Sequence, residues 1–192
     1  ATVTATLIGT SAATVVNVAV GGTLTRGAAE RLADAAAVTV DGTLNLGGAE
    51  AIGSLAGAGT GSVATSGVTN LTVGDAASST SFAGVISGGG GLTKTGASTQ
   101  TLTGTNTYTG ATTVNAGTLA LGHATDTLAT GSAVTVDGAT AVLSLGANND
   151  TVASLTVSNG GTVTGTGGTL TGTTYTLNAT GTNTANLGTG TL

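Results

Sequence analysis

Hydrophobic and polar positions alternate along this chain in short bursts. Val134-Thr135-Val136 is one, and Val142, Leu143 and Leu145 mark the next. A period of two places successive side chains on opposite sides of an extended strand. Val and Leu then face inward and Thr outward. Gly, Asn and Asp separate the bursts, as at Asp41-Gly42, Asp137-Gly138 and Asn148-Asn149-Asp150. These residues tolerate left-handed backbone angles, so they mark corners.

The bursts recur. Val18-Ala19-Val20-Gly21-Gly22-Thr23-Leu24 aligns without a gap on Val38-Thr39-Val40-Asp41-Gly42-Thr43-Leu44. Related blocks start at Val114, Val134 and Leu155, with a weaker echo at Tyr175-Thr176-Leu177. The anchors Val114, Val136, Val157 and Leu177 lie 22, 21 and 20 residues apart. Between Val40 and Val114 the pattern is less regular, with Leu71-Thr72-Val73 and Leu92-Thr93-Lys94 as the anchors inside it. A repeat of this length has few physical readings. The Leu scaffold of a leucine-rich repeat is missing, collagen needs Pro and Gly at every third place, and a propeller blade is longer. The coil of a parallel β-helix fits. The expected architecture is all-β, one β-solenoid domain over residues 1–192 with about 20 residues per coil. Nine or ten coils stacked about 4.8 Å apart give a rod of roughly 45 Å.

Composition agrees. The 192 residues include 35 Gly and 45 Thr, and no Pro, Cys, Met or Trp. Only 6% are charged while 39% are hydrophobic, the reverse of the balance that keeps chains disordered. Thr and Val are stiff and β-branched and favour strands. With two Tyr and one Phe, the interior must be a thin layer of Val, Leu, Ile and Ala. Residues 28–36, Ala-Ala-Glu-Arg-Leu-Ala-Asp-Ala-Ala, break the pattern and are rich in helix formers. They read as a short helical or looped excursion from a corner.

The net charge is −5, and Arg26, Arg31 and Lys94 are the only cationic residues besides a lone His123. Nucleic-acid binding needs clustered Lys and Arg, so that partner class is excluded. No apolar run approaches the ~20 residues of a membrane-spanning helix, which argues against direct membrane insertion.

From Phe82 to Leu121 the sequence carries a more specific pattern. Phe82 and Gly84 precede the run Gly88 to Gly91, followed by Leu92-Thr93-Lys94-Thr95-Gly96. Then come Leu102-Thr103-Gly104-Thr105-Asn106-Thr107-Tyr108-Thr109-Gly110 and Thr113-Val114-Asn115-Ala116-Gly117-Thr118-Leu119. In that order these elements resemble the passenger-associated transport repeat of type V secretion autotransporters. Ser98 and Gln100 depart from the family pattern, which tends to Gly and Leu there, and are expected to weaken one strand's inward face. The resemblance implies a right-handed parallel β-helix at the cell surface. It implies a repeat that assists passage and folding of a passenger, or that forms the stalk of an adhesin or self-associating protein. The roles expected of these residues are structural. Tyr108 caps a corner over Leu102, Asn106 suits a turn or an Asn ladder, and Gly88 to Gly91 permit a tight bend.

Candidate chemistry is thin. His123, Asp126 and Ser132 contain the residue types of a nucleophile triad, beside a coil boundary. Asp41 and Asp137 occupy equivalent places in the repeat and would share a face, as a carboxylate pair for glycoside cleavage requires. Asn148-Asn149-Asp150 offers oxygens to a hard cation. Each reads better as a turn, so no catalytic residue, cofactor or metal is assigned. The expected function is an extracellular, non-enzymatic adhesive module acting on a host or cell-surface ligand or on itself. The alternatives are a subunit of a filament built by end-to-end stacking, and, more remotely, a polysaccharide-active enzyme.

Overall fold

The computed structural model describes residues 4–7, 12–27, 32–67, 70–74, 78–178 and 180–191. All regular structure among them is β, every strand pairing is parallel, and the chain winds as a β-solenoid of about eight turns. That is fewer turns than the nine or ten expected, and the offset between paired coils varies. Val15 pairs with Ala37, 22 residues on, and Ser62 with Val85, 23 residues on.

Each coil contributes to three walls in turn. Wall one starts with Val15–Val18, Ala37–Val40 and Ser54–Ala56, and continues from Thr80–Phe82 to Thr182–Asn183. Wall two runs from Thr4–Leu7 through Thr23–Arg26, Thr43–Leu46, Ser62–Thr65 and Val85–Gly88 to Thr107–Tyr108. It resumes at Asp150–Thr151. Wall three is the longest single sheet, seven strands from Glu50–Ile52 to Thr174–Leu177.

Burial alternates as the sequence pattern demands: Val134, Val136, Leu143 and Leu145 are buried, while Thr135 and Ser144 are partly exposed. On wall three Ile52, Val73, Lys94, Val114, Val136 and Val157 stack inward in register, and Leu177 ends the column exposed. The sequence anchors are therefore neighbours in space. Each buried Val or Leu in such a column contributes about 1.5–3 kcal/mol through burial.

The repeated block does not keep its place in the coil. Its early copies, at Val18 and Val38, turn from wall one into wall two. The copies at Val114, Val134 and Leu155 turn from wall three into wall one. What repeats is a strand–corner–strand unit, and it serves two different corners. Asp41 and Asp137 consequently lie at different corners and do not share a face, contrary to their apparent equivalence in sequence.

The excursion at 28–36 lies partly outside the described residues, at 28–31. The part described is a turn closed by Ala36 N–H on the Ala33 carbonyl at 2.8 Å. Leu32 is drawn into the core at 4% exposure. The looped alternative holds over 32–36, because the apolar Leu32 and Ala36 gain more from the interior than from a free helical turn.

Phe82 fills the interior of wall one and requires glycine around it. A Cβ at Gly84 would meet Phe82 Cζ at 2.5 Å and the Gly61 carbonyl oxygen at 2.2 Å. Gly84→Ala is expected to destabilise by about 1–3 kcal/mol or more through overpacking, read as a lowered thermal midpoint by circular dichroism. Gly27→Ala, with nothing within 4 Å of its Cβ, should stay within about 0.5 kcal/mol of the parent.

Candidate functional site

The segment from Phe82 to Leu121 holds an unusual density of buried polar side chains. Lys94 and Gln100 are placed inward by the alternation of their own strands, and Asn106, just before the strand Thr107–Tyr108, shares the inward parity of Tyr108. Thr99–Leu102 puts Gln100 and Leu102 on the inner side, and Leu92–Lys94 does the same for Leu92 and Lys94. An unpaired polar group there costs about 1–3 kcal/mol, so each must find a partner.

Lys94 is 1% exposed and donates to the carbonyls of Thr95, of Gly96 at 3.0 Å and of Ala116 at 3.4 Å. These carbonyls belong to the corner between walls three and one, where the strand ladder ends. Burial pushes the Lys94 ammonium below its ordinary pKa. At the same corner Gly96 and Gly117 are stacked and both left-handed, with φ of 62° and 63°. A Cβ on Gly117 would meet the Gly96 carbonyl oxygen at 2.3 Å.

Gln100 was expected to weaken its strand. It instead bridges coils through its amide. Its Nε2 donates to the Leu55 carbonyl at 2.9 Å, and its Oε1 accepts from Leu55 N–H at 3.4 Å and from Thr80 Oγ1 at 3.0 Å. This is where wall one is interrupted, since only an isolated Gly57–Phe82 bridge joins its two sheets.

Asn106 does the same for wall two. Its Oδ1 accepts from Ile86 N–H at 2.8 Å, and its Nδ2 donates to the Thr127 carbonyl at 2.6 Å and the Gly104 carbonyl at 3.2 Å. Between Tyr108 and Asp150 this wall contains no strand, only the bridge Thr125–Asn149. From the far side, Asp150 Oδ2 accepts from Leu128 N–H at 2.9 Å. Glu50 repeats the device on wall three, its Oε1 accepting from Leu32 N–H at 2.7 Å while its Oε2 pairs with Arg26 in the interior.

Tyr108 lies inside the solenoid rather than over its corner. Its hydroxyl meets Thr112 Oγ1 at 2.6 Å, and Thr112 in turn meets Ser132 Oγ at 3.0 Å. This chain ties wall two to wall three. Burial pushes the Tyr108 phenol well above its ordinary pKa; the Thr112 bond works against this and the Asp150 charge adds to it. Gly110 permits the close approach of coils, since its Cβ would meet Gly91 N at 2.5 Å. Phe82, Leu92, Leu102, Val114 and Leu119 are buried in the core. Gly88 and Gly90 form the bend around Thr65, whose hydroxyl donates to the Ser87 carbonyl and accepts from Gly90 N–H.

A cleft of about 330 Å³ opens at the interrupted stretch of wall two, lined by Asn106, Tyr108, Asp126, Leu128 and Gly131 among others. No triad is assembled beside it. His123 Nδ1 is engaged with the Thr125 backbone, and the Ser132 hydroxyl is spent on Thr112 and the Gly110 carbonyl. Asp126 occupies a left-handed turn at φ 51°. Asp41 and Asp137 are turn caps, taking Ala58 N–H at 2.7 Å and Asn159 Nδ2 at 2.6 Å respectively. In Asn148-Asn149-Asp150 the three side chains diverge: Asn148 reaches the Leu121 carbonyl, Asn149 takes Thr169 N–H, and Asp150 turns inward. Among the described residues no three His, Cys, Asp or Glu side chains are grouped as a metal site requires.

Glu50 and Asp150 were missed as buried splices. The signal was present: Glu50 shares parity with Ile52, and Asp150 with Val152, so the alternation points both carboxylates inward.

A family model described as Passenger-associated-transport-repeat matches residues 92–121, the stretch containing Lys94, Gln100, Asn106 and Tyr108. No curated protein and no solved structure matches the chain. The matched repeat and the solenoid around it fit an autotransporter passenger, a secreted or surface protein.

Two outcomes follow from this geometry. Asn106→Ala strands Ile86 N–H, at about 1–3 kcal/mol, while the Thr127 carbonyl keeps the backbone N–H of residue 106. Hydrogen exchange at the Ile86 amide should accelerate in that variant. Asp150 is pushed up to about 6 from 3.8, first by burial and further by Asp126, against hydrogen bonds from backbone N–H groups. Its folded-state pKa is raised, so its stabilising contribution is full below pH 3.8 and is lost as pH rises through about 6. The change is roughly 3 kcal/mol. Thermal midpoints measured from pH 4 to 7 should show this fall in the parent, and Asp150→Asn should flatten it.

Proposed function

We propose that this chain is an extracellular, non-enzymatic passenger module whose outer walls mediate self-association or attachment to a surface. The observation that supports it is the transport-repeat match inside a solenoid whose buried polar groups are engaged in joining one coil to the next. Polar side chains that could serve a reaction are spent on structure, and the outward positions carry hydroxyls. On wall one, Thr99, Thr118, Val142, Thr162 and Thr182 form one outward column, and Ser81, Thr101, Ala120, Ser144 and Thr164 a second. Two parallel columns of short side chains, hydroxylated at all places but Val142 and Ala120, supply many weak hydrogen bonds without the cost of stripping water from charges. Affinity in such a contact comes from repetition along the rod.

Displaying the chain on a cell that does not otherwise aggregate tests the reading. The parent should make cells settle in clumps. Thr99→Lys, Thr118→Lys and Thr162→Lys together should disperse them by placing like charges opposite one another. Clumping unchanged by the triple substitution would sink the proposal for this wall.

A further inference from the structure

Wall three carries a feature that adhesion does not require. Thr72, Thr93, Thr113, Thr135, Thr156 and Thr176 occupy one outward column, each paired in register with the next. Successive members are separated by one coil, about 4.8 Å. Thr is β-branched and stiff at χ1, so identical backbone settings favour one side-chain rotamer. The column therefore presents a hydroxyl and a methyl at a fixed, repeated spacing. The outward residues two places earlier in three of these strands are Ala111, Ala133 and Ser154, too small to stand above the threonines.

The surface lacks what other ligands need. The cationic Lys94 and the acidic Glu50 of this wall both point inward and are buried. Asp137, at the wall's margin, is already bonded to Ser158 and Asn159. Among the described residues of this wall a charged solute finds no uncommitted counter-charge, and a small neutral solute finds no concavity. A ligand that suits a flat, neutral row of one spacing is itself flat, neutral and periodic. Water bridging adjacent hydroxyls would be held in ranks at the coil spacing. That spacing is close to the repeat between equivalent oxygens in hexagonal ice.

We propose that wall three binds the surface of ice through the threonine column from Thr72 to Thr176. Bound ranks of water continue the lattice, and the methyl groups fix their positions by excluding other arrangements.

Single ice crystals grown in a solution of the purified chain, watched by cold-stage microscopy, test this. The parent should shape the crystals into facets and hold growth below the melting point. Thr113→Lys with Thr135→Lys should lose both effects while keeping the parent's circular dichroism spectrum. Thr135→Tyr replaces that variant if it folds poorly, and is expected to lose both effects as well. Thr101→Lys on wall one should keep them. Round crystals growing freely in the parent solution overturn the proposal, and so does faceting that survives the wall-three substitutions. The assay contains no cells, so its outcome is independent of whether wall one makes cells clump.

Discussion

The backbone hydrogen bond from one coil to the next is the constraint on which this molecule depends. A solenoid with a thin core has little large apolar surface to bury, and each wall is one layer of strands. Its N–H and C=O groups have their natural partners directly above and below. Wherever a wall lacks a strand, two neighbouring coils would face each other with unpaired groups. The structure meets this at each described interruption with a side chain that imitates a peptide. Glu50 takes Leu32 N–H, Gln100 takes and gives to Leu55, Asn106 joins Ile86 to Thr127, and Asp150 takes Leu128 N–H. Amides do this without cost in charge. Asp150 does it as a carboxyl group, which is why burial raises its pKa toward neutrality.

The transport repeat looks different in this light. Lys94, Gln100, Asn106 and Tyr108 sit within less than one coil and reach all three walls. Lys94 holds the carbonyls of a corner, Gln100 and Asn106 splice two interrupted walls, and Tyr108 joins walls two and three through Thr112. A stretch that locks its own corner and both flanking interruptions is suited to setting the register of the coils beyond it. Solenoid stability is a sum over neighbouring coils, so a locked stretch also limits fraying toward either end.

Much of the architecture was legible in the chain. Alternation gave most inward and outward positions, with Thr112 inward and Val142 outward as exceptions, and the anchors Val114, Val136, Val157 and Leu177 proved to be paired in space. Two things were not legible. The repeated block reads as a coil-length unit with a constant position, yet it serves different corners, because a strand–corner–strand unit has no feature that says which corner it occupies. Gln100 read as a defect because a polar residue at an inward place is one unless its partner is known. That partner, Leu55, lies 45 residues away, in a coil not adjacent in the chain. Long-range pairing of this kind leaves no local trace.

The shift of the repeated block between corners has a consequence for how such a rod changes length. A unit that fits more than one corner can be gained or lost alone, in steps of about a third of a coil, roughly seven residues. Such a step keeps every burst of alternation intact. It also rotates all later residues by one wall, so a row of threonines interrupted midway would continue on a different side. The solenoid thus has a reading frame of three, and any straight row that crosses several coils exists only where that frame has been kept.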